Sequence, residues 1–382
     1  MSGWDVYGLN LAQNWANDPD VRPIFIQVPA HGLPIDPLRA ARLLDILRES
    51  TEAARLLSSG RDILFPSIAI HALGSGLAGS IPLERIKPKA QLAAVFFDDT
   101  EFDTEARARA SKFELIITGS AWNTEVLQGN GIGPVACVLQ GVDPTLFHPA
   151  PASGIFSDRF LVFSGGKLEP RKGQDLVLRA FKIFAARHPE ALLVAAWHSP
   201  WPQLAATVGS EDGLAPVPFN QSGYLDVVRW AVNNGLKESQ VLDVGLVPNW
   251  LMPTILREIQ VALFMNRCEG GTNLVAMECM ACGVPTILSA NTGHLDLLQN
   301  GAARALRHQV KPRAPVGFRG IEGWGESNVE EAVDALEAIY VDRTEAAETG
   351  RQGATLLATM SWARQTGLLK AAIRPFLRRS AR

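Results

Sequence analysis

The chain alternates short apolar runs with longer amphipathic stretches. The runs are rich in Val, Ile and Phe, and the stretches between them, such as DLVLRAFKIFAARHP, repeat apolar residues at helical spacing. Buried strands that alternate with helices predict parallel sheets covered by helices on both faces, an α/β fold. The predicted strands are IFIQV (24–28), QLAAVFF (91–97), ELIITG (114–119), RFLVFSG (159–165), ALLVAAW (191–197), VALFM (261–265) and VPTILS (284–289).

The same pattern occurs in both halves of the chain, which predicts two doubly wound domains. A length of 382 residues suits two domains of about 150–200 residues better than a single core. The stretch HPAPASGIFSDR at 148–159 is rich in Pro, Ser and Gly and is the predicted seam. We therefore assign residues 1–150 to an N-terminal domain and residues 151–360 to a C-terminal domain.

The N-terminal domain opens in an unusual way. A doubly wound domain normally begins with a strand, then a glycine-containing turn, then a helix. Here the chain opens at the predicted turn SGWDVYG, followed by the helical LNLAQNWAN, so the first strand is missing. Either the true start lies upstream or the N-terminal sheet lacks this strand.

Composition narrows the function classes. The chain is 47% hydrophobic and 20% charged, with a net charge of −3, so no strong field attracts it to nucleic acid. Four cysteines without the spacing of a disulfide framework, no signal peptide and no long apolar segment predict a cytoplasmic protein. The basic C-terminus IRPFLRRSAR is either a solvated helix end or a peripheral contact at the inner membrane face.

Residues 74–79, GSGLAG, match the Gly-x-Gly-x-x-Gly pattern of dinucleotide-binding enzymes. That fingerprint needs a helix that opens at the glycines. The residues that follow, SIPLERIKPKA, contain two prolines, so any helix there is short. A flexible turn is the better interpretation.

A basic loop follows the predicted strand RFLVFSG. Gly165 and Gly166 let the backbone approach a ligand closely, and Lys167, Arg171 and Lys172 cluster just before an amphipathic helix. Cations beside a helix N-terminus, at the carboxyl end of a strand, suit a diphosphate. A solvated basic loop fits the same residues equally well.

The stretch CEGGTNLVAMECMACGVP follows the predicted strand VALFM and carries a second candidate anion site. Gly270 and Gly271 leave backbone N–H groups uncovered, and Thr272 or Asn273 caps the helix that follows. The amides at that N-terminus can receive an anionic group.

Two glutamates in this stretch are candidate ligands for hydroxyl groups. Glu278 lies among apolar neighbours, where a carboxylate needs hydrogen-bonding partners, and a ribose or hexose would supply them. Glu269, on the loop, is a candidate for holding sugar hydroxyls. The alternatives are a surface glutamate on the polar side of the helix and an exposed loop acid.

At this point the two stretches SGGKLEPRKG and CEGGTNLVAMECMACGVP resemble the donor-site signatures of a known family. The family is the retaining, GT-B-fold glycosyltransferases, in the large group with glycogen/sucrose-synthase-like and mannosyltransferase-like members. GSAWNTEVLQGNGIGPVACVLQGVDPTLFHP and NTGHLDLL resemble further segments of that family, so the resemblance extends over residues 110–300.

The resemblance implies a GT-B fold, with two Rossmann-like domains that face each other across a cleft and a C-terminal helix at 361–382 that crosses back to the first. It implies transfer of a hexose from a nucleotide-diphosphate sugar, UDP- or GDP-linked, to a hydroxyl of a carbohydrate or lipid-linked acceptor.

Residue roles on the donor side follow by match to the family motifs. Lys167 and Lys172 would hold the diphosphate, Glu278 would take the ribose hydroxyls, and Glu269 would lie beside the sugar. The catalytic candidates are Glu269, Lys172 and Lys167. The donor-binding candidates are Gly165, Gly166, Lys167, Lys172, Glu269, Gly270, Gly271, Thr272, Asn273, Leu274 and Glu278.

The acceptor side departs from the family, which often ends an N-domain strand with a His-Asp pair. Here that place reads FFDDTEFD, so Asp98 and Asp99 are the acceptor-side candidates, and His71 after a strand-like run is a third. On the donor side, eight residues follow Glu269 before the next glutamate where the family usually has seven. Lys167 stands where the family often has Arg, which loses a bidentate phosphate contact.

The expected chemistry uses no cofactor and no metal. Breaking a sugar–phosphate bond leaves a nucleoside diphosphate, whose charge lysines and helix amides stabilise. No Asp-x-Asp motif occurs in a suitable loop, so a carboxylate-bound Mg²⁺ is not expected. The resemblance implies that the leaving phosphate deprotonates the acceptor hydroxyl, which removes the need for a dedicated base.

Two alternative functions stay open. A GT-B-like sugar epimerase or phosphorylase would use the same cleft, and an inactive nucleotide-sugar-binding protein would keep the cleft without turnover. Cys279 and Cys282, spaced Cys-x-x-Cys inside a helix, are interpreted as small buried side chains rather than a redox or zinc pair. His294 falls on the donor side of the family pattern.

Overall fold

The computed structural model of the chain describes residues 3–26, 35–79, 85–199, 201–208 and 213–380. Helices and mostly parallel strands alternate along it, as predicted for an α/β protein. In this part of the chain, no helix combines the length and the apolar character needed to cross a membrane.

The chain divides into two compact units, each described here by itself. The first comprises Met1–Gly141, Pro248–Trp250 and Met360–Arg382, and the second comprises Val142–Val247 and Leu251–Thr359. The division after Gly141 precedes the stretch 148–159 that the sequence marks as the seam. Arg257 accounts for part of this difference, because its guanidinium donates to the carbonyl of Leu146 at 3.0 Å and holds that segment in the second unit.

The elements are numbered in chain order. The helices are α1 (Gly3–Trp15), α2 (Pro37–Arg42), α3 (Leu44–Ser58), α4 (Thr104–Ala110), α5 (Ala121–Gly129), α6 (Gln174–Arg187), α7 (Val227–Asn233), α8 (Met252–Leu256), α9 (Leu274–Ala281), α10 (Val329–Val341), α11 (Arg343–Ala358) and α12 (Trp362–Ser380). The strands are β1 (Ile63–Leu64), β2 (Ile68–Leu73), β3 (Ile86–Lys87), β4 (Ala90–Val95), β5 (Leu115–Thr118), β6 (Val135–Cys137), β7 (Phe160–Gly165), β8 (Ala191–Ala196), β9 (Val241–Asp243), β10 (Val261–Phe264), β11 (Thr286–Ser289), β12 (Arg304–Leu306), β13 (Gln309–Val310) and β14 (Glu326–Ser327).

The first unit contains a parallel sheet in the order β2-β4-β5-β6. Its inner strands β4 and β5 are almost wholly buried, as expected for strands covered on both faces. The helix α12 packs in this unit: Trp362 meets Tyr7 of α1 edge to face, with ring centroids 5.8 Å apart, and the Lys370 ammonium donates to Asp18 at 2.7 Å. The unit is therefore assembled from both ends of the described sequence.

The start of the first unit differs from the sequence prediction. Gly3–Trp15 is a single helix rather than a turn followed by a helix, and its buried residues are Val6, Tyr7, Asn10, Ala12 and Trp15. The strand predicted at 24–28 is wrong at 24–26, where no strand forms. There the N–H of Phe25 donates to the Ser50 hydroxyl at 2.9 Å instead of to a neighbouring strand. Residues 27 and 28 lie outside the described residues.

The second unit contains a six-stranded parallel sheet in the order β12-β11-β10-β7-β8-β9. The strands predicted at 159–165, 191–197, 261–265 and 284–289 are confirmed as β7, β8, β10 and β11. From β7 the chain adds β8 and β9 toward one edge of the sheet. It then returns to pair β10 with the other side of β7 and adds β11 and β12 toward the opposite edge, so the direction of strand addition reverses between β7 and β10. In doubly wound sheets, ligands bind at the carboxyl ends of the strands that flank this reversal.

The core of the second unit fixes the helix that starts beside this reversal. Phe181 and Phe184 of α6 and Trp230 of α7 are fully buried among the side chains of the sheet. Each buried side chain of this size stabilises the unit by about 1.5–3 kcal/mol or more. The N-terminus of α6 is therefore held firmly, and the loop that leads into it starts from a fixed point.

Candidate active site

Two glycines shape the loop between β7 and α6. Gly166 has φ +112°, a backbone conformation that residues with a side chain rarely adopt. Gly173 has φ +66°, and a Cβ there would lie 2.0 Å from the carbonyl oxygen of Met265. Only glycine fits at that position, and the close approach brings the end of the β7 loop onto the end of β10.

An ion pair joins the two loops at this edge. The Lys172 ammonium contacts Oε1 of Glu269, and Nδ2 of Asn266 donates to the same oxygen at 2.6 Å. The side chains of Lys172 and Glu269 are only 11% and 7% exposed. Burial would raise the pKa of Glu269, but the charges of Lys172 and Arg171 outweigh it and hold this pKa below its ordinary value. Glu269 is therefore ionised at neutral pH.

A second carboxylate, Glu169, balances the other cations of the loop. The Arg171 guanidinium lies 2.6 Å from its Oε1 and the Lys167 ammonium 3.7 Å. Burial would raise the pKa of Glu169, and the two cations lower it more. Lys167 is the most exposed of the three cations, and its ammonium lies 5.4 Å from the ring centroid of Trp201. Lys167, Arg171 and Lys172 therefore lie together with the carboxylates of Glu169 and Glu269 at this edge of the sheet.

Arg267 links the loop after β10 to the loop after β7. It was not identified as a site residue from the sequence. Its guanidinium makes a two-point contact with Asp175 at the start of α6 (2.9 and 2.6 Å), donates to Glu326 at 2.6 Å and reaches the carbonyl of Pro170 at 2.7 Å. Burial would lower the pKa of Arg267, but the two carboxylates raise it. Its N–H also donates to the carbonyl of Arg171 at 2.8 Å.

The turn after β11 packs against the loop after β10. The N–H of Glu269 donates to the Thr292 hydroxyl at 2.9 Å, and the N–H of Gly293 donates back to the Glu269 carbonyl at 3.0 Å. A Cβ on Gly293 would lie 1.6 Å from the carbonyl oxygen of Gly271. Gly293 is therefore required for this contact.

The loop ends at Asn273, which caps α9. Its Oδ1 accepts the N–H of Ala276 at 3.4 Å, so the cap is Asn273 rather than Thr272. Glu278 lies one turn into α9 and is buried, at 6% exposure. Carboxylates at such positions need polar partners.

The cysteines of α9 and its C-cap are free and buried, as predicted. Burial raises the pKa of the Cys282 thiol to about 12 and that of Cys279 well above its ordinary value. Neither thiol has the low pKa of a redox-active pair.

Residues 150–314 match the protein family described as "Glycosyl transferases group 1". A D-inositol 3-phosphate glycosyltransferase from Thermobispora bispora is 28% identical over 47% of this chain and 40% of its own length. A mannosylfructose-phosphate synthase from Agrobacterium fabrum is 27% identical over 35% of this chain and 26% of its own. The matched regions thus span less than half the length of these relatives.

Residues 150–314 form a glycosyltransferase group 1 domain.

The fold that contains the glycosyltransferase group 1 domain is GT-B, as predicted. Sucrose-phosphate synthase from Thermosynechococcus elongatus has a TM-score of 0.63 at 18% identity, covering 98% of this chain and 94% of that one. The Anabaena protein HepE, solved in complex with UDP and glucose, has a TM-score of 0.61 at 12% identity, covering 98% and 96%. Because these sequence identities are low, the similarity shows a shared fold and nothing about substrates.

Within the glycosyltransferase group 1 domain, the structure brings the predicted donor-side residues to one edge of the sheet. Gly165 and Gly166 end β7, and Lys167 and Lys172 lie on the loop that follows. The residues from Glu269 to Leu274 join β10 to α9, and Glu278 lies on α9. Their assignment to donor binding stays a prediction.

The acceptor-side candidates lie in the first unit and are not equivalent. The N–H groups of Asp98 and Asp99 both donate to the Ser75 hydroxyl, at 3.2 and 3.1 Å, just beyond the carboxyl end of β4. His71 instead lies inside β2, where its ring bonds Gln91 near the amino end of β4. His71 therefore belongs to the body of the sheet and does not share the edge with Asp98 and Asp99. Burial lowers its pKa.

The glycine stretch at 74–79 forms a turn, as interpreted from the sequence. Only Ser75–Leu77 adopt a single 3-10 turn, and Gly76 has φ +66°. The Arg109 guanidinium donates to the Gly76 carbonyl at 3.0 and 2.8 Å and occupies one side of the turn. Among the described residues 74–79 no α-helix opens, which does not match the dinucleotide fingerprint.

Proposed function

We propose that this chain is a retaining glycosyltransferase that moves a hexose from a nucleotide-diphosphate sugar to a hydroxyl of a carbohydrate or lipid-linked acceptor. One observation carries the proposal. The basic loop after β7 and the loop that leads into α9 meet at a single point, where Lys172 contacts Glu269. Cations and helix amides on these two loops are therefore close enough to act on one diphosphate.

The proposed role of the cations is to stabilise the departing nucleoside diphosphate. Lys167, Arg171 and Lys172 lie together beside the carboxylates of Glu169 and Glu269. Cations held in place by the fold cost no reorganisation as negative charge develops, and losing one such group typically lowers kcat about 10²–10³-fold. We propose that these residues and the α9 amides serve in place of a metal.

Glu269 is proposed to bind the sugar. Its carboxylate is ionised and buried, and in the described residues Lys172 and Asn266 contact it. When a diphosphate attracts the Lys172 ammonium, Oε1 of Glu269 keeps its bond from Asn266 and regains capacity to accept a hydrogen bond from a sugar hydroxyl. Glu278, buried on α9, is proposed to accept the ribose hydroxyls of the nucleotide.

The proposed bond changes balance without a dedicated base. The bond between the sugar's anomeric carbon and the phosphate oxygen breaks, and its electron pair stays on the phosphate. The acceptor oxygen forms the new bond to the anomeric carbon on the same face, and its proton passes to the departing phosphate. Asp98 and Asp99, on the first unit, are proposed to orient the acceptor.

The proposal is tested by binding and turnover with defined nucleotides. Calorimetric titration of UDP, GDP and ADP identifies the base, and UDP-glucose is the first donor to try, because UDP and glucose were bound to the Anabaena relative. Donor hydrolysis and transfer are then followed with and without EDTA, and NMR of the product reports the anomeric configuration.

Each outcome of these assays has a definite meaning. Binding with retained configuration and EDTA-resistant turnover supports the proposal. Binding without any turnover favours a nucleotide-sugar-binding protein, and conversion of the donor sugar without transfer favours an epimerase. Absence of binding to all three nucleotides refutes the nucleotide-sugar assignment.

A further inference from the structure

His294 lies in the turn after β11, fully buried, with both ring nitrogens at hydrogen-bonding distance from a partner. Nδ1 lies 3.2 Å from the carbonyl oxygen of Ser289, and Nε2 lies 3.0 Å from Nδ2 of Asn273. A carbonyl only accepts and an amide nitrogen only donates, so Nδ1 carries the proton and Nε2 accepts. The ring is neutral: burial lowers the pKa of His294 to about 4, although the charge of Glu269 opposes this.

The residue held by this bond has an uncommon backbone conformation. Asn273 has φ +62°, in the left-handed region where residues other than glycine are scarce. Its Oδ1 faces the N–H of Ala276, so its Nδ2 faces His294. The two bonds together fix the side chain and oppose relaxation of the backbone to an ordinary conformation.

This conformation determines how α9 starts. Asn273 is the last residue before the helix, so its φ and ψ set the direction of the first amides of α9. Glu278 follows on the same helix, and its position depends on the same start. The other end of the loop is fixed separately, because Glu269 exchanges hydrogen bonds with Thr292 and Gly293.

We propose that His294 is a positioning residue for the donor, acting through Asn273 to aim the amides of α9. This inference rests on the proposed function. His294 does not touch the ligand, since its ring is fully buried and both nitrogens are engaged. Its contribution is to hold Asn273 left-handed, which places the α9 amides and the Glu278 carboxylate on one side of the site.

The test measures UDP and GDP affinity by calorimetric titration, with His294 substituted in the wild type and in an Asn273→Gly variant. His294→Leu removes both hydrogen bonds and is expected to weaken binding about tenfold, whereas His294→Gln keeps a donor and an acceptor and stays within about threefold of wild type. Asn273→Gly adopts the left-handed conformation without a side-chain anchor. In that background, adding His294→Leu is expected to change affinity less than about twofold, because the two residues act as one unit.

His188→Leu is the matched control in the same unit. His188 is likewise hydrogen-bonded, to Glu337 at 2.8 Å, and its ring lies against Tyr340, but it is near the amino end of β8, at the opposite edge of the sheet. This variant is expected to lower Tm while nucleotide affinity stays unchanged.

The inference is overturned if His294→Leu binds like wild type, or if its effect is equally large in both backgrounds. Should His294→Leu not fold, His294→Asn replaces it, since its shorter side chain cannot reach both partners. If the wild type binds neither UDP nor GDP, the result refutes the proposed function itself, and the role of His294 no longer arises.

Discussion

Replacing Lys172 by Met isolates the ion pair that joins the two loops. Methionine keeps most of the length and apolar contact of the side chain and removes the charge. Glu269 then stays buried with its nearest cation gone. The remaining groups are Nδ2 of Asn266 at 2.6 Å and the Arg171 guanidinium at 3.9 Å.

The expected cost follows from these distances. Removing one partner of a buried ion pair destabilises a protein by about 3–5 kcal/mol. Two polar groups still face the carboxylate, so we expect the lower end of that range, about 3 kcal/mol. For a unit of this size, the loss corresponds to a fall in Tm of about 6–12 °C. Nucleotide affinity is expected to fall more than about tenfold, because a diphosphate loses one cation.

The pH dependence gives the sharpest measurement. In the wild type the pKa of Glu269 is lowered, so its ionised form stabilises the fold at neutral pH, and this contribution is lost as the pH falls through the folded-state pKa. In Lys172→Met burial dominates and the pKa rises. Protonation of Glu269 then removes the unpaired buried charge from Lys172→Met. The difference in unfolding free energy between wild type and this variant should therefore narrow as the pH falls from about 7 to about 5.

Urea unfolding of four proteins completes the experiment: wild type, Lys172→Met, Glu269→Gln and the double variant. The double variant lacks both charges of this ion pair and is expected to recover to within about 1 kcal/mol of wild type. A double variant no more stable than Lys172→Met, or a stability difference that does not change with pH, would show that Glu269 is not the partner of Lys172. Nucleotide binding should remain weak in the double variant, because the cation is still missing.

Three further predictions concern other residues of the second unit. Glu278→Ala should weaken UDP or GDP binding more than about tenfold in calorimetric titration, while the exposed Glu238→Ala should leave it unchanged. Gly293→Ala should lower Tm and abolish nucleotide binding together, since its Cβ would overlap a backbone oxygen; a stable, binding variant would contradict the packing described for that turn. Asp243 bonds His198 at 2.7 Å and raises the pKa of that histidine, so the stability gained below about pH 6.5 should be lost as the pH rises through the folded-state pKa. Asp243→Asn should remove this pH dependence in unfolding measured from pH 5 to 8, and an unchanged profile would exclude the pair.

The strands of the second unit were predictable because they are buried on both faces. A continuous run of Val, Ile, Leu and Phe has no other common explanation in so short a stretch. The helix at Gly3–Trp15 was harder to predict, since Gly3 and Gly8 flank a short stretch that is typical of a turn. Phe25 was misread as part of a strand because its partner, the hydroxyl of Ser50, lies on a helix that the local pattern does not link to it.

At the candidate site, the sequence identified charges and glycines but not their pairing. Lys172 and Glu269 were each predicted, because glycine-flanked charges at strand ends are a local signal. Arg267 was missed because its partner Asp175 lies far away in sequence and both side chains are buried, which local composition does not reveal. The left-handed conformation of Asn273 likewise could not be predicted from the sequence, since Asn273 is held by a contact with the turn after β11.

The placement of α12 has a consequence for synthesis on the ribosome. Tyr7 and Asp18 obtain their partners Trp362 and Lys370 only when the last stretch of the described chain is available. The second unit ends at Thr359, so all of its residues precede α12, which begins at Trp362. During translation the first unit therefore receives its last helix only after every residue of the second unit has been synthesised.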